Sequence, residues 1–230
     1  LQGKDVQEKL NQLRQEAVNI DPALAKRLDE INRWIKGLKP GTLTAKRLVM
    51  AFLLEMLADA TLWLALKTQL STEEQRATLL QLSPAQQYWY SELFPRWLEE
   101  TDSKFYIWRQ KLMSGEFNQA EDQVIQSLAQ AIRQQKGEFW RRYIADLSMA
   151  TDLIVSHRQQ QPLCTQITSL SDKYSKQKYV DWQTTLQSWR IERGLFVSYN
   201  PGVPDYIYQL ATLALDISDT LASGSYQKVL

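Results

Sequence analysis

Residues 44–70, TAKRLVMAFLLEMLADATLWLALKTQL, constrain this chain more than any other stretch. Between Arg47 and Lys67 lie nineteen residues, nearly all apolar, with Glu55 and Asp59 as the only charges. That length is near the lower edge of a membrane span, but two carboxylates four residues apart are costly in lipid. Val49, Phe52, Leu53, Met56, Leu57, Ala60, Trp63 and Leu64 recur at helical spacing, and Leu48, Ala51, Leu54, Ala58, Leu62 and Leu66 cover much of the remaining circumference. A helix apolar nearly all round belongs inside a bundle. No membrane span is expected here.

The flanking sequence reads as further helices. Val6, Leu10, Leu13 and Ala17 mark one over 4–19, and Leu24, Leu28, Ile31 and Ile35 mark a second that closes near Gly37. Asp21-Pro22 between them supplies an N-cap and a first-turn proline, so 4–36 reads as a helical hairpin that packs on the bundle or projects from it. Ser71 and Glu74 have capping-box spacing, which starts a short helix to about Leu82. Further segments follow from Ser83-Pro84 through Trp97, kinked near Pro95, and over 103–113. The longest expected helix runs from Asn118 to His157 on the stripe Phe117, Val124, Leu128, Ile132, Phe139, Tyr143 and Leu147, with Gly137 as the residue that could interrupt it. Cys164–Asp172 is expected as a loop and 173–193 as a helix. Residues 194–204, GLFVSYNPGVP, are expected as an ordered loop, and 205–222 as the last helix.

With few glycines and prolines and no Pro- or Ser-rich linker, the expected fold is all-α. It is a single-domain bundle of seven to nine helices over 1–230, built around 44–70.

The sequence excludes more chemistry than it suggests. One Cys, Cys164, allows neither an intrachain disulfide nor a cysteine metal cluster. One His, His157, in SHRQQQP, leaves no nucleophile–base arrangement, and is expected as a solvated helix-end residue. No glycine-rich phosphate loop, nucleophile elbow or HExxH is present. The phrase GEF returns after 22 residues, at 115 and 137, not at the interval of about 34 that tetratricopeptide repeats need. A net charge of +1 creates no global field toward nucleic acid or an anionic membrane.

The function expected from these features is a non-enzymatic protein-interaction module: an adaptor, an accessory subunit or an extracytoplasmic sensor or lipoprotein-type domain. Its partner is another protein or a second copy, and no cofactor is implied. Eight Trp and ten Tyr favour this, because aromatic side chains anchor interfaces. The candidate contact residues are Trp34, Trp140, Arg141, Arg142, Trp189, Arg190, Phe196 and Tyr199. A first alternative is a metal-dependent all-α enzyme whose cavity gathers Glu55, Asp59, Asp146 and Asp152. A second is a nucleic-acid binder using the basic–aromatic stretches FWRRY (139–143) and 173–193, a reading the near-neutral charge disfavours. The chain opens on Leu1, so a longer or processed bacterial precursor is expected, and cytoplasm and periplasm are both compatible.

Overall fold

The computed structural model describes residues 2–68, 71–115, 119–169, 172–200 and 202–229. Gln69, Leu70, Phe117, Asn118 and Pro201, which the sequence reading used to mark segments, lie outside them. In chain order the helices are α1 (Gly3–Ile20), α2 (Pro22–Ile35), α3 (Pro40–Ala45), α4 (Arg47–Thr68), α5 (Thr72–Leu80), α6 (Pro84–Tyr88), α7 (Phe94–Glu99), α8 (Phe105–Ser114) and α9 (Gln119–Gln134). A π turn over Trp89–Leu93 joins α6 to α7. Strand β1 (Glu138–Trp140) and helix α10 (Tyr143–Met149) follow, then β2 (Leu153–Ser156), β3 (Leu163–Thr168), α11 (Asp172–Ser188), β4 (Arg193–Ser198), α12 (Tyr206–Thr220) and β5 (Ser225–Val229).

The expectation of an all-α bundle is overturned. The chain is a mixture of helices and a five-stranded sheet in the order β1-β2-β3-β4-β5. Of the helix expected over 118–157, α9 and α10 are helical, and β1 and β2 are not. Lys136 and Ala150, with φ of 62° and 52°, turn the chain where an α-helix cannot continue. The loop expected over 164–172 contains most of β3, the loop over 194–204 contains most of β4, and β5 follows Gly224. These strands escaped notice for one reason. β2 is buried along its whole length, and β3 and β4 nearly so. A strand covered on both faces shows a continuous apolar run instead of alternation.

The chain divides into two compact units, 1–81 with 94–117 and 82–93 with 118–230. The first is helical. Asp21 caps α2 by accepting from the amides of Ala23 and Leu24, and its other oxygen accepts from the Trp63 indole at 2.7 Å. Helix α4 is long and apolar enough to cross a membrane by length and composition, yet 56% of its most apolar window is buried. It packs against α1, α3, α5 and α8. Trp34, Phe52 and Trp108 form an aromatic cluster in this unit, with ring centroids 5.1–6.1 Å apart. Asp102 accepts from the indoles of both Trp97 and Trp108.

The second unit is a three-layer arrangement. Strands β1, β3, β4 and β5 point one way and β2 the other. Leu153, Val155, Leu163, Ile167, Leu195 and Val197 face α9 and α12 in a single apolar core. On the opposite face α11 lies against β4: a Cβ added at Gly194 would sit 2.5 Å from Leu186 Cδ2 and 2.7 Å from Trp182 Cη2. The Trp182 ring also packs on Phe196 at 5.6 Å. The helices after β3 and after β4 therefore lie on opposite faces.

Candidate functional site

The carboxyl edge of the sheet is where chemistry-bearing side chains meet. Because β2 runs against its neighbours, the residue before it, Asp152, stands at the same edge as the ends of β1, β3 and β4. The β2–β3 register pairs Leu153 with Thr165, which sets Asp152 beside Gln166 on the α11 face. Asp152 is 5% exposed. Its Oδ2 accepts from Gln166 Nε2 at 2.7 Å and from the Ile167 amide at 2.6 Å. Two donors on one oxygen fix the plane of the carboxylate.

From α11, Lys178 Nζ donates to Thr168 Oγ1 at 3.1 Å. No ion pair joins Lys178 to a carboxylate among the described residues. Ser198, paired with Thr168 across β3 and β4, has a buried hydroxyl oxygen with no hydrogen-bond partner. Asp152, Gln166, Thr168, Lys178 and Ser198 thus share one face and one edge.

The residues after β1 reach the same edge. Arg142 lies over the Trp140 ring at 3.7 Å and donates to the Arg141 carbonyl, while Arg141 pairs with Asp122 at 2.7 Å. Asp146 sits in the first turn of α10, half-buried. Of the four carboxylates proposed from sequence, Asp146 and Asp152 belong to this unit. Glu55 and the fully buried Asp59 belong to the helical unit.

The proposed contact residues scatter. Trp34 is half-buried in the helical unit. Trp189 is 6% exposed and donates to the Ser148 carbonyl at 2.9 Å, and Phe196 is fully buried. Both are part of the sheet unit's interior. Arg190 is exposed just past α11, at the amino edge of β4 and away from Asp152. Tyr199 stacks on Tyr206 at 5.4 Å beyond the carboxyl end of β4.

The opposite edge holds a different arrangement. His157 follows β2 and meets Asp219 Oδ2 through Nδ1 at 2.8 Å, while Asp219 Oδ1 accepts the Gln159 amide. This replaces the solvated helix end expected for His157. Arg193 donates to the carbonyls of Leu221, Pro162 and Ser218. Burial lowers its pKa from the ordinary arginine value, and the Asp219 charge opposes that shift.

Gln166 and Thr168 were not singled out from sequence, and Lys178 entered only as one of many bases. The polar pair Thr151-Asp152 ahead of the apolar run Leu153, Ile154 and Val155 was the available signal. Their convergence follows from strand pairing, which no local pattern reveals. Comparison with protein-family models, with curated proteins and with solved structures gives no match.

Proposed function

We propose that the sheet unit is a divalent-cation-dependent hydrolase of phosphate esters, with its site at the carboxyl edge around Asp152. The observation that carries this reading is the fixed Asp152 carboxylate beside the Gln166 amide, with the Lys178 ammonium on the same face. Among the described residues no three His, Cys, Asp or Glu side chains gather at one point. A magnesium-type ion does not require that, because it keeps several waters and is held by one or two carboxylates plus substrate phosphate.

In this reading Asp152 and the Gln166 side-chain oxygen would hold the cation, which would supply positive charge at the phosphoryl oxygens and acidify water. Lys178 is a point charge for the phosphate, and Thr168 holds its ammonium in place. Water adds to phosphorus and the ester bond breaks, releasing an alcohol. The test is release of nitrophenol from bis(para-nitrophenyl) phosphate by the full chain with millimolar Mn²⁺. Turnover is expected to fall at least about a hundredfold in Asp152→Asn. Equal turnover by wild type and variant contradicts the reading.

An interaction role for the helical unit is the second reading. It is favoured by an open groove in which Leu54, Leu57, Ala58, Leu62 and Ala65 of α4 lie beside Asp5, Glu8, Lys9 and Gln12 of α1. Leu54 is 39% exposed there. Native mass spectrometry tests self-association: dimer lost in Leu54→Glu supports it, and a monomer at all concentrations removes that form of it.

A further inference from the structure

The α1–α2 hairpin encloses a second polar feature, independent of the sheet edge. A pocket of about 460 Å³ opens between the two helices, lined by Asn11, Arg14, Asp29, Asn32, Arg33 and Lys36 among others. Asp29 is the only acid among the described residues that line it. Arg33 Nε lies 3.1 Å from Asp29 Oδ2 and Arg14 Nη1 lies 3.8 Å from Asp29 Oδ1. Lys36, one turn beyond Arg33, makes no ion pair with a carboxylate among the described residues. Three cations therefore face one carboxylate, leaving an excess of two positive charges in one concave site. Such an excess focuses the field on the pocket and raises the local concentration of anions.

The polar groups between the helices are not isolated. Asn32 Nδ2 donates to Asn11 Oδ1 at 2.9 Å, which bridges α1 to α2, and Asn11 Nδ2 donates to the Gln7 carbonyl at 3.0 Å; each amide keeps one further N–H for a ligand. Arginine forks match the oxygens of a phosphate in pairs, and lysine adds a point charge. The pocket volume is within the range of about 300–1,000 Å³ that small-molecule sites occupy.

We propose that this pocket binds the phosphate group of a small phosphorylated ligand, with Arg33, Lys36 and Arg14 on the phosphate and the two asparagines on the remainder. The excess of two charges matches a phosphate monoester dianion. The apolar contacts of the hairpin, Leu10, Leu13, Leu28 and Ile31, are fully or almost fully buried, so substitutions of the exposed bases leave the hairpin core intact.

The test is isothermal titration of the full chain with inorganic phosphate and with adenosine monophosphate, chloride replacing the anion at constant ionic strength in the control. Saturable one-site binding is expected for both probes in metal-free buffer, in which the cation that the sheet-edge site requires is withheld. Arg33→Gln and Lys36→Gln should each weaken it about tenfold or more, with Asp152→Asn leaving it unchanged. The proposal is overturned by the absence of saturable binding, by affinity that neither hairpin substitution lowers, or by loss of binding in Asp152→Asn. Circular dichroism matching wild type confirms that each variant is folded, and Arg14→Gln serves if either is not.

Discussion

The indole N–H of Trp182 donates to the carbonyl oxygen of Ala150 at 3.1 Å. Seven residues on, in the turn that follows α11, Trp189 does the same for Ser148 at 2.9 Å. Together they tie down the end of α10 and the two residues that lead from it to Asp152. The same helix carries Lys178. One element thus positions both the carboxylate run and the ammonium proposed to act with it.

Replacing Trp182 by Phe keeps an aromatic ring against Phe196 and Tyr226 and removes the donor. A carbonyl deprived of its partner costs about 1–3 kcal/mol, and urea unfolding should register a loss of that size. If the variant matches wild type, the indole bond does not hold this turn.

Ala150 follows α10 with φ at 52°, where a Cβ is disfavoured by roughly 1–2 kcal/mol. Ala150→Gly relieves that strain, and the greater freedom of glycine in the unfolded chain offsets part of the gain. A net stabilisation of up to about 1 kcal/mol is expected, read as a higher urea midpoint at unchanged slope. A destabilised variant would show that the alanine methyl contributes packing that outweighs the strain.

Arg193 is 9% exposed and spreads its guanidinium over three main-chain carbonyls. Lysine keeps the charge and loses the fork. Arg193→Lys should therefore lower stability by about 2–4 kcal/mol, the range for breaking a buried charged hydrogen-bond set. A loss under about 0.5 kcal/mol, typical of a surface change, would contradict the role given to the clamp.

Alkaline pH should weaken the sheet unit. Burial raises the pKa of Tyr179 against the opposing hydrogen bond from Gln183. Burial also raises that of Tyr226, with the charges of Glu192 and Cys164 adding to it. A raised tyrosine pKa means that the folded chain holds protons the unfolded chain has released. The stability from this source is complete below the unfolded value of about 10 and is lost as pH climbs from there through the folded values. Urea titrations from about pH 9 to about pH 11 should show a decline that Tyr179→Phe/Tyr226→Phe makes shallower. Parallel curves would remove these two groups as the cause.

Legibility of the sequence followed the range of the interactions. The hairpin was readable because Val6, Leu10, Leu13 and Ala17 repeat locally and Asp21-Pro22 punctuates them; all four apolar residues are buried. The capping box was readable because Ser71 and Glu74 satisfy each other within one turn. The sheet was not, since LIVS and LCTQIT look alike whether they lie in a helix or in a doubly covered strand. Phe139, Tyr143 and Leu147 continued a helical spacing across a strand and a separate helix. Asp152 entered the list of carboxylates as one of four, but its partners could not be assigned. Gln166 is fourteen residues away, and their contact depends on an antiparallel pairing.

Titrating Mn²⁺ or Mg²⁺ into the full chain while following its melting temperature tests for the cation at Asp152. Millimolar metal should raise the wild-type melting temperature, leave Asp152→Asn unmoved, and act normally on Asp59→Asn, whose carboxylate belongs to the helical unit. No rise in wild type, or an equal rise in Asp152→Asn, would contradict a cation site at the carboxyl edge of the sheet.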